Sequence, residues 1–262
     1  MATVFSVATN RLLRRSGLPT TSNPPVPAEP ARASVPAHLE APSLRPSLEE
    51  TAPISISRVR VAEHPAAQHA LAVLRNRQTE TWEFRATSNQ LLVLLAMEAT
   101  RTLPLREQEV DTGMEPWMGR VLAKPVVFLP VTRDGLGLSH TVAESLPGIM
   151  VGGISLERIQ GSKVFQPRLH LPNAPALGDC RVILFDPVIS TGTAADVALS
   201  LVYRLGAVDV CLLSFMISTP GLHHLQAVYP ELTVWTANID GDWDGQQTPG
   251  PMLGNFRNRL FN

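Results

Sequence analysis

Asp186 stands at the end of a short apolar run, Val182 to Phe185. After it come Pro187, Val188 and Ile189, then a small, hydroxyl-bearing turn, Ser190-Thr191-Gly192-Thr193-Ala194. An apolar-periodic stretch runs on from there to Leu201. Strand, acid, turn and helix in this order can hold an anion. The unpaired N–H groups of a first helical turn point into the loop, and the helix dipole favours negative charge there. Gly192 lets the backbone approach a phosphate closely, and Ser190, Thr191 and Thr193 add hydroxyl donors. Asp186, at the carboxyl end of its strand, sits where open α/β sheets bind ligands. A plain helix N-cap is the alternative reading of the same turn. No Gly-Lys-Ser/Thr follows, so this is not a Walker loop, and the three-glycine dinucleotide pattern is absent.

These residues need a scaffold, and the chain from Pro125 onward supplies one. Val126–Val131, Gly148–Leu156, Val164–Leu171, Val182–Phe185, Val208–Ile217 and Leu232–Thr236 read as strands. Leu136–Ser145, the stretch after Gly192 and Leu222–Val228 read as helices. Alternation of this kind predicts an α/β fold, a parallel central sheet with helices on both faces. Upstream, His64–Arg77 places Ala67, Ala70, Leu71 and Leu74 on one helical face, with Pro65 in the first turn. A second helix is predicted from Ser88, as N-cap, to Arg101, and the chain after Asn238 reads as loop-rich. Leu105–Lys124 has no clear period.

The 262 residues are 44% hydrophobic and 17% charged, enough for one globular domain of ordinary size plus a tail. Residues 1–53 are rich in Pro, Ser and Ala and are predicted to be a disordered extension; residues 54–262 form the domain. The first residues carry Arg11, Arg14 and Arg15 and no acid before Glu29, the composition of either a solvated extension or an organelle transit peptide. Net charge is -1, which gives no reason to expect nucleic acid or an anionic membrane as partner. No apolar run is long enough to span a bilayer. Cys180 and Cys211 lie in apolar strand-like runs and read as buried free thiols of an intracellular protein. His69, His140, His223 and His224 have no metal-ligand spacing and read as structural.

Several dispersed segments, in one order, resemble uracil phosphoribosyltransferases of the type I phosphoribosyltransferase fold. They are Leu74-Arg75, Phe84-Arg85, Pro130-Val131-Thr132-Arg133-Asp134-Gly135-Leu136, the loop from Asp186 to Ala194, Ser218-Thr219-Pro220-Gly221, Thr236-Ala237-Asn238-Ile239-Asp240, and Pro251 to Arg259. The resemblance implies transfer of a phosphoribosyl group from phosphoribosyl pyrophosphate (PRPP) to uracil, giving uridine monophosphate and pyrophosphate. It implies that Asp186 and Arg133 are catalytic. It implies that the loop from Asp186 through Ala194 holds PRPP, the amides of Thr191 to Ala194 taking the 5′-phosphate and Asp186 the ribose hydroxyls. Arg133 and Arg158 would face the pyrophosphate, and Asn255 would also touch PRPP. Pro249, Gly254, Asn255 and Phe256 would form the uracil site. Mg²⁺ would arrive on the pyrophosphate, with no protein metal site. GTP is implied as an allosteric effector, and a homodimer or homotetramer as the assembly. The location implied is cytoplasmic, or mitochondrial or plastid if residues 1–50 are a transit peptide.

The sequence departs from the family's pattern mainly at the site. Thr193 and Ala194 replace a glycine and a serine of the loop, and Ser190 replaces an alanine. Pro167 and Arg168 replace paired tyrosines. At the C-terminal turn Pro249 replaces an isoleucine, Met252 and Arg257 replace glycines, and Asn255 replaces an aspartate. Pro249 has no N–H to offer a base, and an amide cannot supply a carboxylate's charge. The second function these changes admit is a non-catalytic homologue that binds nucleotide or PRPP and acts as a regulator or partner.

Overall fold

A computed structural model describes residues 58–158, 165–172, 175–241 and 253–262. The Pro/Ser/Ala-rich extension and Pro249 lie outside the described residues.

Two helices precede the main alternation. After β1 (Val59–Val61) comes α1 (Pro65–Arg75), whose start is fixed by Pro65 and by His64 Nδ1 accepting from the Ala66 N–H at 3.1 Å. Next is α2 (Thr81–Thr100). It begins well before Ser88, which is fully buried inside the helix and caps nothing. Phe84 opens the buried stripe, and the polar Thr87 and Ser88 on that stripe hide the apolar period from sequence. The unplaced stretch is a hairpin of β2 (Leu105–Asp111) and β3 (Pro116–Leu122). Most of its residues are exposed, so no one-sided apolar pattern marks it.

The chain then runs through β4 (Val126–Pro130), α3 (Thr132–Leu136), α4 (Ser139–Ser145) and β5 (Ile149–Val151). The single helix predicted over Leu136–Ser145 is two short ones, broken at Gly137-Leu138. The single strand predicted over Gly148–Leu156 is also two. β5 stays beside β4, while β6 (Gly153–Arg158) leaves the sheet and pairs antiparallel with β7 (Phe165–His170). The break is at Gly152, where a Cβ would stand 2.7 Å from the His170 carbonyl oxygen. Pro167 is accommodated because β6 and β7 form a separate two-stranded sheet.

The remaining elements are β8 (Arg181–Phe185), β9 (Val188–Ile189), α5 (Thr193–Arg204), β10 (Asp209–Ser218), α6 (Thr219–Val228), β11 (Thr233–Asp240) and α7 (Phe256–Phe261). In the segment after Asn238, which composition predicts to be loop-rich, the described residues include the end of β11 and α7. The main sheet has the order β1-β11-β10-β8-β4-β5, all parallel, with β9 also against β10.

Alternate residues of the central strands feed two cores. Val126, Phe128, Ile183, Phe185, Leu213 and Phe215 face α1, α2, α4 and α7. Val127, Leu129, Val182, Leu184, Leu212 and Val234 face α5 and α6. Helices therefore cover both faces, as the alternation predicts. Both cysteines are free and buried.

The first core contains a row of phenylalanines. Ring centroids of Phe128–Phe185, Phe185–Phe215, Phe215–Phe256 and Phe256–Phe84 lie 5.6, 5.3, 6.0 and 5.2 Å apart. Arg259 sits 4.3 Å over the Phe84 ring. Its guanidinium donates to the carbonyls of Leu74, Asn76 and Leu253. Phe84 thus joins α2 to the C-terminal helix from both sides. Replacing Phe84 with alanine is expected to cost about 3–5 kcal/mol, read as a lower urea midpoint at unchanged slope. A change below about 1 kcal/mol would show that the row is not the anchor.

Candidate active site

The cradle is built where β8 stops. The Asp186 N–H still bonds the Leu213 carbonyl, at 3.1 Å, but Pro187 has no N–H to continue. β9 resumes in the same register, Met216 opposite Val188 as Leu213 is opposite Phe185. The Pro187 carbonyl accepts from the Phe215 N–H at 3.0 Å. The segment between Asp186 and the turn is therefore a strand fragment. Ile189 is buried in the second core and Pro187 is buried too, so neither offers its side chain to a ligand, while Val188 is half-buried.

The turn itself is Ser190 to Gly192. Gly192 has φ +78° and is the N-cap residue of α5. Gly192 has no side chain to cap this helix; Thr191 Oγ1 lies 3.5 Å from the Thr193 nitrogen, and the amides that follow are directed at the loop. That separates the cradle from an ordinary Ser/Thr cap. Thr193 is the first helical residue, so its Cβ causes no strain where a glycine is usual. Thr191 and Thr193 are exposed, their hydroxyl oxygens 3.0 Å apart, and Ala194 is half-buried.

The start of α6 holds the turn in place, a role that sequence reading left blank for Ser218 and Gly221. Ser218 Oγ donates to the Ser190 carbonyl at 2.5 Å and accepts from the Gly221 N–H at 3.1 Å. A Cβ on Gly221 would fall 2.3 Å from the Ser190 carbonyl oxygen, and one on Gly192 would fall 3.1 Å from the Gly221 carbonyl oxygen. Behind them Asp196, in the first turn of α5, meets His224 Nε2 at 3.1 Å and accepts from the Tyr229 hydroxyl at 2.7 Å. His224 is thus a tie between α5 and α6.

Asp186 is only 7% exposed. Burial and the nearby Asp134 push its carboxyl up to about 8, against which the Val188 N–H provides one stabilising hydrogen bond. Among the described residues no cation acts on this carboxyl, and a buried acid without one is costly.

The Arg133 loop lies alongside. The Val131 N–H donates to the Phe185 carbonyl at 2.7 Å, so the two loops leave the sheet together. Thr132 has φ +70°, a strained conformation for a β-branched residue. It turns the chain into α3, where Arg133 is exposed. Arg158 is the last residue of β6, away from the Val131–Ile154 bridge that ties this strand to the loop; its side chain is outside the described set.

At the C-terminal turn, Gly254 has φ +67° and is exposed. Asn255 Oδ1 accepts from the Asn258 N–H at 3.1 Å, capping α7, which commits that oxygen to the helix. The Phe256 side chain is buried in the phenylalanine row, so only its backbone could meet a base. Arg257 Nε donates to Asp134 Oδ1 at 2.7 Å, a contact unmarked in sequence. Arg75 pairs with Asp240 at 2.6 Å, and Arg85 Nε bonds the Leu260 carbonyl; both are structural ties. Among the described residues no group of three or more His, Cys, Asp or Glu is arranged to hold a metal ion.

A family model for uracil phosphoribosyltransferase matches residues 61–262. The uracil phosphoribosyltransferase of Oceanobacillus iheyensis is 31% identical over 210 residues, covering 79% of this chain and 99% of that protein. That of Thermosipho melanesiensis is 30% identical over 206 residues, covering 78% and 98%. A solved structure of a protein from Aquifex aeolicus aligns with a TM-score of 0.67 at 24% identity, over 78% of this chain and 97% of that one; it supports the fold. The family model's match runs from the end of β1 to the C-terminus and so takes in the cradle, the Arg133 loop and the turn before α7 alike. The chain therefore belongs to the uracil phosphoribosyltransferase family of phosphoribosyl-transferring enzymes.

Proposed function

We propose that the protein transfers the phosphoribosyl group of PRPP to uracil, releasing pyrophosphate and forming uridine monophosphate. The observation that carries this reading is the buried Asp186 at the end of β8, followed after a short strand fragment and turn by a helix start whose N-cap residue is Gly192. One strand end then offers an acceptor for the ribose hydroxyls and amides for the 5′-phosphate. The bond from the ribose C1 to pyrophosphate breaks as a bond to the base nitrogen forms, and that nitrogen loses its proton. Positive charge grows on the sugar and negative charge on the leaving group, so the protein acts chiefly by positioning and by fixed charge. Arg133, exposed on the adjoining loop, would face the pyrophosphate. Mg²⁺ belongs to the substrate in this scheme, riding on the pyrophosphate with few protein ligands. The backbone of Gly254 to Phe256 would read the base.

The second reading, a non-catalytic homologue that binds PRPP or a nucleotide, draws on Asn255, whose side chain caps α7. One assay separates the two. The full chain with uracil, PRPP and Mg²⁺ is expected to form uridine monophosphate, followed by chromatography. Saturable PRPP binding without product would favour the second reading.

Asp186 gives a further test. Its folded-state value of about 8 lies above the ordinary 3.8, so the folded state keeps a proton that the unfolded chain releases. The stability from that proton is fully present below the unfolded value and is lost as pH rises through about 8. Asp186→Asn does not titrate. It is expected to abolish turnover and to gain stability over the wild type as pH rises toward 8, by at most about 1.4 kcal/mol per pH unit. Thermal melts from pH 5 to 9 measure this, and parallel wild-type and variant curves would refute the buried-acid assignment.

A further inference from the structure

Two residues to which sequence reading assigns no role meet next to Asp186. Asp134 follows Arg133 in α3, and Arg257 follows Phe256 in α7. Their contact joins the loop carrying Arg133 to the segment that leads out of the C-terminal turn. The same two elements touch at a second point, where a Cβ on Gly137 would lie 2.7 Å from the Phe261 ring. The Asp134 side chain is 20% exposed and that of Arg257 56%.

An ion pair this exposed contributes little to folding, about 0–1 kcal/mol. Its importance is its place. α7 is held from below by Phe256 and Arg259, but those contacts lie in the core. Arg257 is the cation that reaches from α7 to the loop beside Asp186. Charged groups stand on the elements around Asp186: Arg133 and Asp134 on α3; Asp196, already engaged by His224 and Tyr229, and Arg204 at the far end of α5; and Asp209 at the opposite end of β10, paired with Lys124 and Arg181. Of these, Asp134 acts on Asp186 directly, and Arg257 pairs with Asp134.

We propose that Asp134 and Arg257 are a positioning pair: the ion pair fastens the C-terminal turn to the Arg133 loop and keeps the acid of that loop neutralised beside Asp186. This rests on the phosphoribosyl-transfer reading, in which the turn carries the base and Asp186 the sugar. The pair then sets the separation of acceptor and donor. Transfer chemistry is sensitive to such shifts, since a displacement of about 1 Å can cost on the order of a hundredfold in rate. It also offsets the charge of Asp134, which acts on the Asp186 carboxyl where the sugar would bind.

The test uses full-length wild type, Asp134→Ala, Arg257→Ala, the double substitution, and the exchange Asp134→Arg with Arg257→Asp. Arg257→Ala is expected to raise the KM for uracil on the order of tenfold or more, with a smaller change for PRPP. It should also move the pH midpoint of kcat/KM upward, because Asp134 is left uncompensated. Asp134→Ala should move that midpoint downward. In the double variant, removing Arg257 should no longer shift the midpoint, and the exchange should recover much of the uracil KM. An Arg257→Ala enzyme with wild-type KM and pH midpoint, or strictly additive effects in the double variant, would overturn the proposal.

The same variants are followed by thermal melts across pH, which need no turnover. Stability loss linked to Asp186 should move to higher pH in Arg257→Ala and to lower pH in Asp134→Ala. If the wild type makes no product, the functional reading fails on its own, and unmoved melting profiles would still overturn the pair.

Discussion

The cradle exists because position 221 has no side chain. The Ser190 carbonyl and the Gly221 backbone approach so closely that any Cβ there would collide with it. With the collision removed, Ser218 can reach both groups at once, accepting from one and donating to the other. The turn is thereby braced from outside, by the next strand and helix. Such bracing is what allows a loop to present backbone amides without rearranging when charge arrives.

The sheet explains why the pieces meet. Parallel strands send all their carboxyl ends to one edge, so β4, β8, β10 and β11 deliver the Arg133 loop, the cradle, the α6 start and Asp240 to the same side. The salt-bridged cluster of Lys124, Arg181 and Asp209 marks the opposite edge, at the amino ends of β8 and β10. The two faces divide the labour. α5 and α6 brace the loop after Asp186 over one core, and α2 and α7 carry the C-terminal turn over the other.

Much of this was legible in the residues. Val182 to Phe185 and Val210 to Ile217 are buried on both faces, and near-continuous apolar runs announce such strands. Asp186 and Gly192 are readable because an acid at a strand end and a glycine at a turn each have a local physical cause. What was not legible depends on partners distant in the chain. The exposed hairpin of β2 and β3 has no core face to impose a period. Ser88 looks like a cap in sequence and is a buried helical residue, because Phe84 docks on Phe256 far downstream. Asp134 and Arg257 are separated by most of the domain, and neither carries a local sign of the other. The Asn255 side-chain oxygen caps a helix that composition did not reveal.

α7 has a consequence for timing. A six-residue helix has almost no stability of its own. It persists because Phe256 joins the phenylalanine row and Arg259 bonds three carbonyls. Fraying of such an element needs only local opening, whereas α5 can be disturbed only with the sheet beneath it. The loop before α5 is therefore tied to the sheet, whereas the C-terminal turn keeps its place only while α7 stays docked.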